Sequence, residues 1–271
     1  MNCVVELVKS MFMNHYPKLI VSQLAFWGVS AAIKNPTLVD VAWGANHVIL
    51  GMSILSYIKP GLTFSNMISI GILSLWFVRL GGFIFYHRIW KPHVDPRYLE
   101  LAQKRAPSHK TLFYFFQFQL QGVLSVFTSI PLYYLFQNNN FQVYNYIGVA
   151  LALIGILGEA IADQQLQNYK DNRPQGQSGV FRGGLFKHSR HPNLFFELVT
   201  WFGIALMAFN HQSLCSVLAF LGPTFLYLIM TKLTIPLTLA HMKKSRPDYQ
   251  NVIEETNRFW PFWGKSIIIN H

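Results

Sequence analysis

Seven stretches of mostly apolar side chains divide the chain: about 18–33, 38–57, 65–88, 112–136, 143–163, 192–210 and 213–239. A helix needs about 20 such residues to cross the hydrocarbon core of a bilayer. No alternating strand–helix pattern competes with them. The pattern predicts an all-α membrane protein of about seven transmembrane helices, the first of them the shortest. The N-terminal segment lacks the basic start, short apolar stretch and small-residue site of a secretory leader, so no removed signal peptide is expected. No internal repeat, low-complexity tract or long linker interrupts the pattern, and residues 1–271 read as a single integral membrane domain.

Composition excludes the alternatives. Of the 271 residues 52% are hydrophobic and 12% charged, half the roughly 25% charged share of soluble domains. Mean hydropathy is +0.27, far too apolar for a disordered chain. The formal net charge of +11 would point to nucleic acid on a soluble protein; here it is topological, and no nucleic-acid partner is expected. The connection after span three holds Arg88, Lys91, Arg97, Lys104, Arg105 and Lys110, that after span five holds Lys170, Arg173, Arg182, Lys187 and Arg190, and the tail holds Lys243, Lys244, Arg246, Arg258 and Lys265. With seven spans these share one side, which the positive-inside rule makes cytoplasmic, leaving the N-terminus outside and the C-terminus cytoplasmic. The cytoplasmic loops, about 89–111 and 164–191, and the tail 240–271 then form one face. Cys3 and Cys215 are too few and too far apart for a disulfide framework or a metal knuckle; both are expected as inert thiols. A multi-pass protein of the bacterial inner membrane or the endoplasmic reticulum fits equally.

Ionisable groups inside spans are costly and mark function by default. Here they are Asp40 and His47 on span two, Arg79 on span three, Glu159 and Asp163 on span five, and Glu197 on span six. His47 and Arg79 come from oppositely directed spans, yet both reach about 13 Å from the cytoplasmic ends at a 1.5 Å rise per residue. Glu159, Asp163, Gln167 and Lys170 share one helical face. Two carboxylates on it ask for a cation or a hydrogen-bonding ligand opposite, and an Arg of a neighbouring helix would satisfy them without any ligand.

The densest chemistry opens span six: Gly183-Gly184-Leu185-Phe186-Lys187-His188-Ser189-Arg190-His191-Pro192-Asn193, then Glu197. Pro192 suits the first turn of a helix. The free amides and dipole of that end favour an anion, beside the cations Lys187 and Arg190. Asn193 and Glu197 lie one turn apart on a shared face. A basic membrane anchor would explain the cations but not that Asn–Glu pair. Gly-x-Gly-x-x-Gly after a strand, Gly-x-Ser-x-Gly and the phosphate-cradling Gly-Lys-Ser/Thr loop are all missing. His188 and His191 flank Arg190, which would repel a cation, so no metal site is expected.

Arg190-His191-Pro192-Asn193 followed by Glu197 resembles the C-terminal signature of the steroid 5α-reductase-like membrane proteins. The run Glu159…Asp163…Lys170 is similar to that family's nucleotide-facing helix. Asp40-Val41-Ala42-Trp43-Gly44 and Asp95-Pro96-Arg97-Tyr98 are similar to segments of its bacterial-type members, and the resemblance covers about residues 37–262. Membrane methyltransferases of the isoprenylcysteine and phospholipid type share a similar Arg-His-Pro-Asn piece. They carry an acidic pair after the last span, where this chain reads Ile235-Pro236-Leu237-Thr238-Leu239-Ala240-His241.

The resemblance implies a seven-helix enzyme that takes NADPH from the cytoplasm. It would reduce a carbon–carbon double bond conjugated to a ketone in a lipophilic substrate, such as a 3-oxo-Δ4 steroid, arriving from the bilayer. It implies a cofactor site of Arg88, Arg97, Glu159, Asp163, Lys170, Arg182, Arg190, His191, Asn193, Glu197 and His241. It also implies a substrate-polarising pair, an acid on span two with a Tyr on span three, for which Tyr86, His47 and Asp40 are the candidates. Membrane lipid is the surrounding partner and no obligate protein partner is expected. The two rival readings are an S-adenosylmethionine-dependent methyltransferase, and a sterol or lipid receptor needing a deep pocket but no polar face on spans five and six.

Overall fold

The computed structural model describes residues 2–59, 63–91, 94–174, 179–246 and 248–261. Lys265 and the His271 end of the basic tail lie outside the described residues. The described chain is helical, with one isolated bridge between Ser189 and Asn257 as its sheet-like pairing.

Helix α1 covers residues 3–32 as Cys3–Lys9, a π-helical turn Ser10–His15, and Tyr16–Ala32. It begins well before the apolar stretch at 18–33, because buried Leu7 and Met11 anchor a segment whose hydropathy Lys9 and Asn14 interrupt. Helix α2 is Leu38–Ile58, α3 is Phe64–Trp90 and α4 is Pro96–Arg105. Thus the connection expected over 89–111 contains a helix, started by Pro96 in the first turn and by the Asp95 carboxylate accepting from Arg97 N at 3.0 Å. The stretch 112–136 is two helices, α5 (Lys110–Thr128) and α6 (Ile130–Leu135), parted where Pro131 withholds an N–H. Helix α7, Val143–Asn172, runs past the apolar limit at 163. Helices α8 (Pro192–Ala208), α9 (Leu214–Ser245) and α10 (Tyr249–Glu255) complete the order. The π-helical turns Ser10–His15 and Met230–Thr234 each precede a proline, Pro17 and Pro236, whose ring and missing N–H disturb the regular ladder there.

Among the described residues, four helices are long and apolar enough to cross a membrane, namely α2, α3, α7 and α9; α8 is apolar but shorter. Contacts define two ends. At one, Ser65 Oγ donates to Asn139 O at 3.2 Å, Asn145 Nδ2 donates to Phe209 O at 2.8 Å, and Tyr144 meets His211 at 2.9 Å. Cys3 and Cys215 are joined there by a disulfide, which corrects the expectation of two inert thiols; a partnership across 212 positions leaves no local trace in sequence. At the other end Asn35 Nδ2 donates to Arg88 O at 3.1 Å, Trp27 Nε1 to Thr111 O at 3.2 Å, and Arg97 Nη1 to Thr238 Oγ1 at 2.9 Å.

The tightest seam joins α7 to α8. A Cβ on Gly148 would come within 2.7 Å of Gly203 O, and one on Gly155 within 2.7 Å of Phe196 O and 2.5 Å of Thr200 N. Only glycine lets the two backbones approach so closely. Elsewhere the core mixes large apolar groups, Trp76, Trp201, Leu50 and Leu132 among them, with buried polar pairs. Gln23 bonds Asn46, Asn46 Nδ2 donates to Ser125 Oγ at 2.9 Å, and His15 Nδ1 lies 2.7 Å from Ser53 Oγ. These bonds tie α1, α2 and α5 together where a lipid environment offers no hydrophobic drive between helices.

Candidate functional site

A cavity of about 610 Å³ opens at the end opposite the disulfide. Its walls come from the start of α4, the end of α7, the segment leading into α8, and the final turns of α9 with α10. Tyr169, Lys170 and Arg173 face it from α7, Arg190, His191 and Asn193 from the start of α8, and Thr238, His241 and Arg246 from α9. Tyr169 stacks on Phe181 with centroids 5.1 Å apart and planes at 29°.

The cavity is electropositive. Among the described residues, Arg97, Lys170, Arg173, Arg190 and Arg246 line it, against the single lining carboxylate of Asp95. That carboxylate is already engaged, taking Arg97 Nε at 3.0 Å and Nη2 at 2.7 Å, with Arg88 Nη1 at 3.3 Å. Burial alone would raise the Asp95 carboxyl, but the hydrogen bonds and charge of Arg97, and then the charge of Arg88, hold it well below the usual carboxylate range. His191 is pushed down to about 3, by burial first and then by Arg190, Arg258 and Arg97, so its ring is neutral at ordinary pH. Among the described residues the buried Nε of Arg190 has no acceptor, so it is a donor that an anion could engage. Cations, a free donor and a stacked aromatic pair are groups that can accommodate an anionic ligand bearing a flat ring.

Behind the wall lies a buried ion cluster. Asn193 Nδ2 donates to Asp163 Oδ1 at 3.2 Å, Arg79 pairs with Asp163, and Arg79 Nη1 lies 2.6 Å from Glu159 Oε1. Glu197 accepts from the Trp43 indole. Of the residues expected to hold a cofactor, the cavity gathers Arg97, Lys170, Arg190, His191, Asn193 and His241. Glu159, Asp163 and Glu197 stand one layer deeper, the first two answered by an Arg of a neighbouring helix. Arg88 is committed to Asp40 at 2.8 Å, and Arg182 pairs with Glu255 at 2.8 Å.

The three candidates for substrate polarisation are not brought together. Tyr86 is on an exposed face of α3, with the Lys91 ammonium 4.9 Å from its ring centroid. Asp40 accepts from the hydroxyl of the half-buried Tyr98, whose pKa rises by desolvation and then by the Asp40 charge. His47 is buried, with Nδ1 2.8 Å from Trp43 O and Nε2 2.8 Å from Thr128 Oγ1, and it lines a separate apolar cavity of about 210 Å³ between α2 and α3. Sequence reasoning missed Tyr169, Arg173, Phe181, Arg246 and Tyr249. A signal existed for two of them, because Leu166, Tyr169, Lys170 and Arg173 form a helical face turned slightly from the acidic one.

Residues 26–256 match the family described as "Protein of unknown function (DUF1295)". An uncharacterized protein of Schizosaccharomyces pombe, C594.04c, is 26% identical over 266 positions, covering 87% of this chain and 75% of that protein. No solved structure matches at a significant level.

Proposed function

From the chain's membership of the DUF1295 family, whose match spans residues 26–256, we propose that it is a steroid 5α-reductase-like membrane enzyme. It binds NADPH in the electropositive cavity and reduces an enone double bond in a lipophilic 3-oxo compound. The observation that carries this reading is the cavity itself, where five Lys and Arg side chains and a stacked Tyr169–Phe181 pair converge on the first turn of α8. Bidentate Arg donors and a helix N-terminus suit a pyrophosphate and a 2′-phosphate, and stacked aromatics suit an adenine.

In this reading NADPH supplies the hydride. Arg173, Arg190, Lys170 and Arg246 neutralise its phosphates, Asn193 orients the nicotinamide end, and Asp95 holds Arg97 in place. The chain passes through the membrane seven times with the N-terminus outside, since its basic connections share the cavity's end. A bilayer-borne substrate reaches the interior from the hydrocarbon side, where His47 lines the apolar cavity between α2 and α3. Polarisation of its ketone asks for a hydroxyl supported by an acid, and Tyr98 beside Asp40 offers that pair in place of Tyr86, its one O–H turning from the carboxylate to the ketone oxygen when substrate is bound.

The test is to purify the protein in detergent, titrate NADPH and S-adenosylmethionine by fluorescence, and follow the reduced-nicotinamide absorbance with an enone added. NADPH binding and its enone-dependent oxidation are expected. Binding of S-adenosylmethionine alone would instead establish the methyltransferase, and binding of neither would favour the receptor.

A further inference from the structure

The chain contains two cysteines, and both are in the Cys3–Cys215 bond. Cys3 opens α1 and Cys215 sits in the first turn of α9, so the bond lies at the end remote from the cavity. Its surroundings belong to that end as well: Ser216 Oγ donates to Asn210 O at 2.9 Å, and Asn138 Nδ2 donates to Phe209 O at 3.2 Å. The cavity end therefore carries no thiol, while the opposite end carries a closed disulfide. Disulfides persist in oxidising compartments and are rare where glutathione and thioredoxin act. Basic connections gather on the cytosolic side, and here they surround the cavity. Charge and sulfur are independent observations, and they assign the two ends in the same sense.

We infer that the protein straddles a redox boundary. Its Cys3–Cys215 end faces an oxidising compartment, and its cavity draws its ligand from the reducing cytosol. The disulfide is the latch that holds the start of α1 on the first turn of α9. Under this assignment the cavity opens to the pool in which a reduced, phosphorylated nucleotide is available. The sidedness rests on the membrane part of the proposed function and not on its cofactor; a chain with no affinity for NADPH would still carry the bond and its orientation.

The experiment uses the full chain in its own membrane. Native membranes are denatured in the presence of a polyethylene-glycol maleimide, with and without prior reduction. Since there are two cysteines in all, the expected result is no mass shift without reductant and two additions after it. Sealed vesicles of both orientations are then exposed to 2-mercaptoethanesulfonate, a charged thiol that does not cross the bilayer. The bond should open only in vesicles whose cavity end is enclosed, recognised by protection of the basic loop around Arg182 from added trypsin. Two free thiols in native membranes would overturn the inference, as would opening of the bond only from the trypsin-accessible side. A Cys3→Ser chain should lose the shift of both thiols to the oxidised state, giving one addition without reduction. NADPH titration of the same preparations is scored separately, and its failure speaks against the proposed reductase alone.

Discussion

The Asn193 amide donates to the Asp163 carboxylate over 3.2 Å, so a residue lining the cavity is fastened to an ion cluster within the helix bundle. Asp163 in turn pairs with Arg79, and Arg79 with Glu159. The orientation of Asn193 thus depends on a cation from α3, and the site has a support that lies outside the cavity.

Arg79→Ala is expected to remove most of the folded protein. Stripping the cation from a buried pair costs about 3–5 kcal/mol, because the acids are left uncompensated. The triple change Arg79→Met, Glu159→Gln, Asp163→Asn should recover folded yield, measured by size-exclusion in detergent. Equal loss in the single and triple variants would mean that the cluster is not held by charge pairing.

Arg173→Ala and Asn193→Ala should each weaken NADPH binding about tenfold, about 1.4 kcal/mol. For Arg173→Ala the loss should be larger for NADPH than for NADH, as a 2′-phosphate contact requires. Unchanged titrations in folded variants would remove both residues from the cofactor site.

Tyr98→Phe should lower enone turnover at least tenfold while leaving NADPH affinity within twofold, the mark of an interaction made on the way to the transition state. Tyr86→Phe should change neither, since Tyr86 stands on an exposed face. The reverse pattern would restore Tyr86 as the polarising hydroxyl.

His191 gives a pH dependence of definite sign. Its folded value lies near 3 against an ordinary 6.5, so between those values the unfolded chain binds a proton that the folded chain refuses. Stability is fully present above about pH 6.5 and falls as pH drops toward 3. The midpoint of thermal unfolding should therefore decline from pH 7.5 to pH 5, and His191→Gln should decline less. An identical decline in both chains would mean that other groups control it.

Gly155→Ala should destabilise by about 1–3 kcal/mol through overpacking, since its Cβ would meet the α8 backbone. Gly28→Ala, with nothing within 4 Å of the new methyl, should be neutral. Comparable melting of the two variants would show that the seam can give.

Much of this architecture was legible because membrane helices announce themselves by length and hydropathy. The limits of α2, α3 and α8 follow the apolar stretches closely, and α9 begins with its stretch but runs on to Ser245. The start of α8 was legible too, since Pro192 and its polar neighbours are consecutive in sequence. What failed was azimuth. Depth along a helix follows from a residue count, but the partners of Arg79, Glu159 and Asp163, depend on which helix lies beside α3. The resemblance pointed to Tyr86, but its side chain turns outward, while Tyr98 on a short connecting helix reaches Asp40. Arg173 follows the end of α7, and Arg246 follows Lys243 and Lys244 at the end of α9; only the fold brings both to one cavity wall. The glycine seam was readable as Gly148, Ala152, Gly155 and Gly158 on one face, a spacing that serves an internal contact rather than an association between copies.

That seam divides the cavity into an anvil and a jaw. With backbone against backbone, α7 and α8 have no room to slide, and Tyr169, Lys170, Arg190 and Asn193 keep fixed mutual positions. The opposing groups, Thr238, His241 and Arg246, hang from the last turns of α9, beyond the π-helical turn Met230–Thr234 and Pro236. A joint of that kind interrupts the ladder that stiffens a helix. Widening of the cavity to admit a ligand therefore falls to the end of α9, and a cross-link between residues flanking Met230–Thr234 would slow ligand entry without touching a single lining side chain.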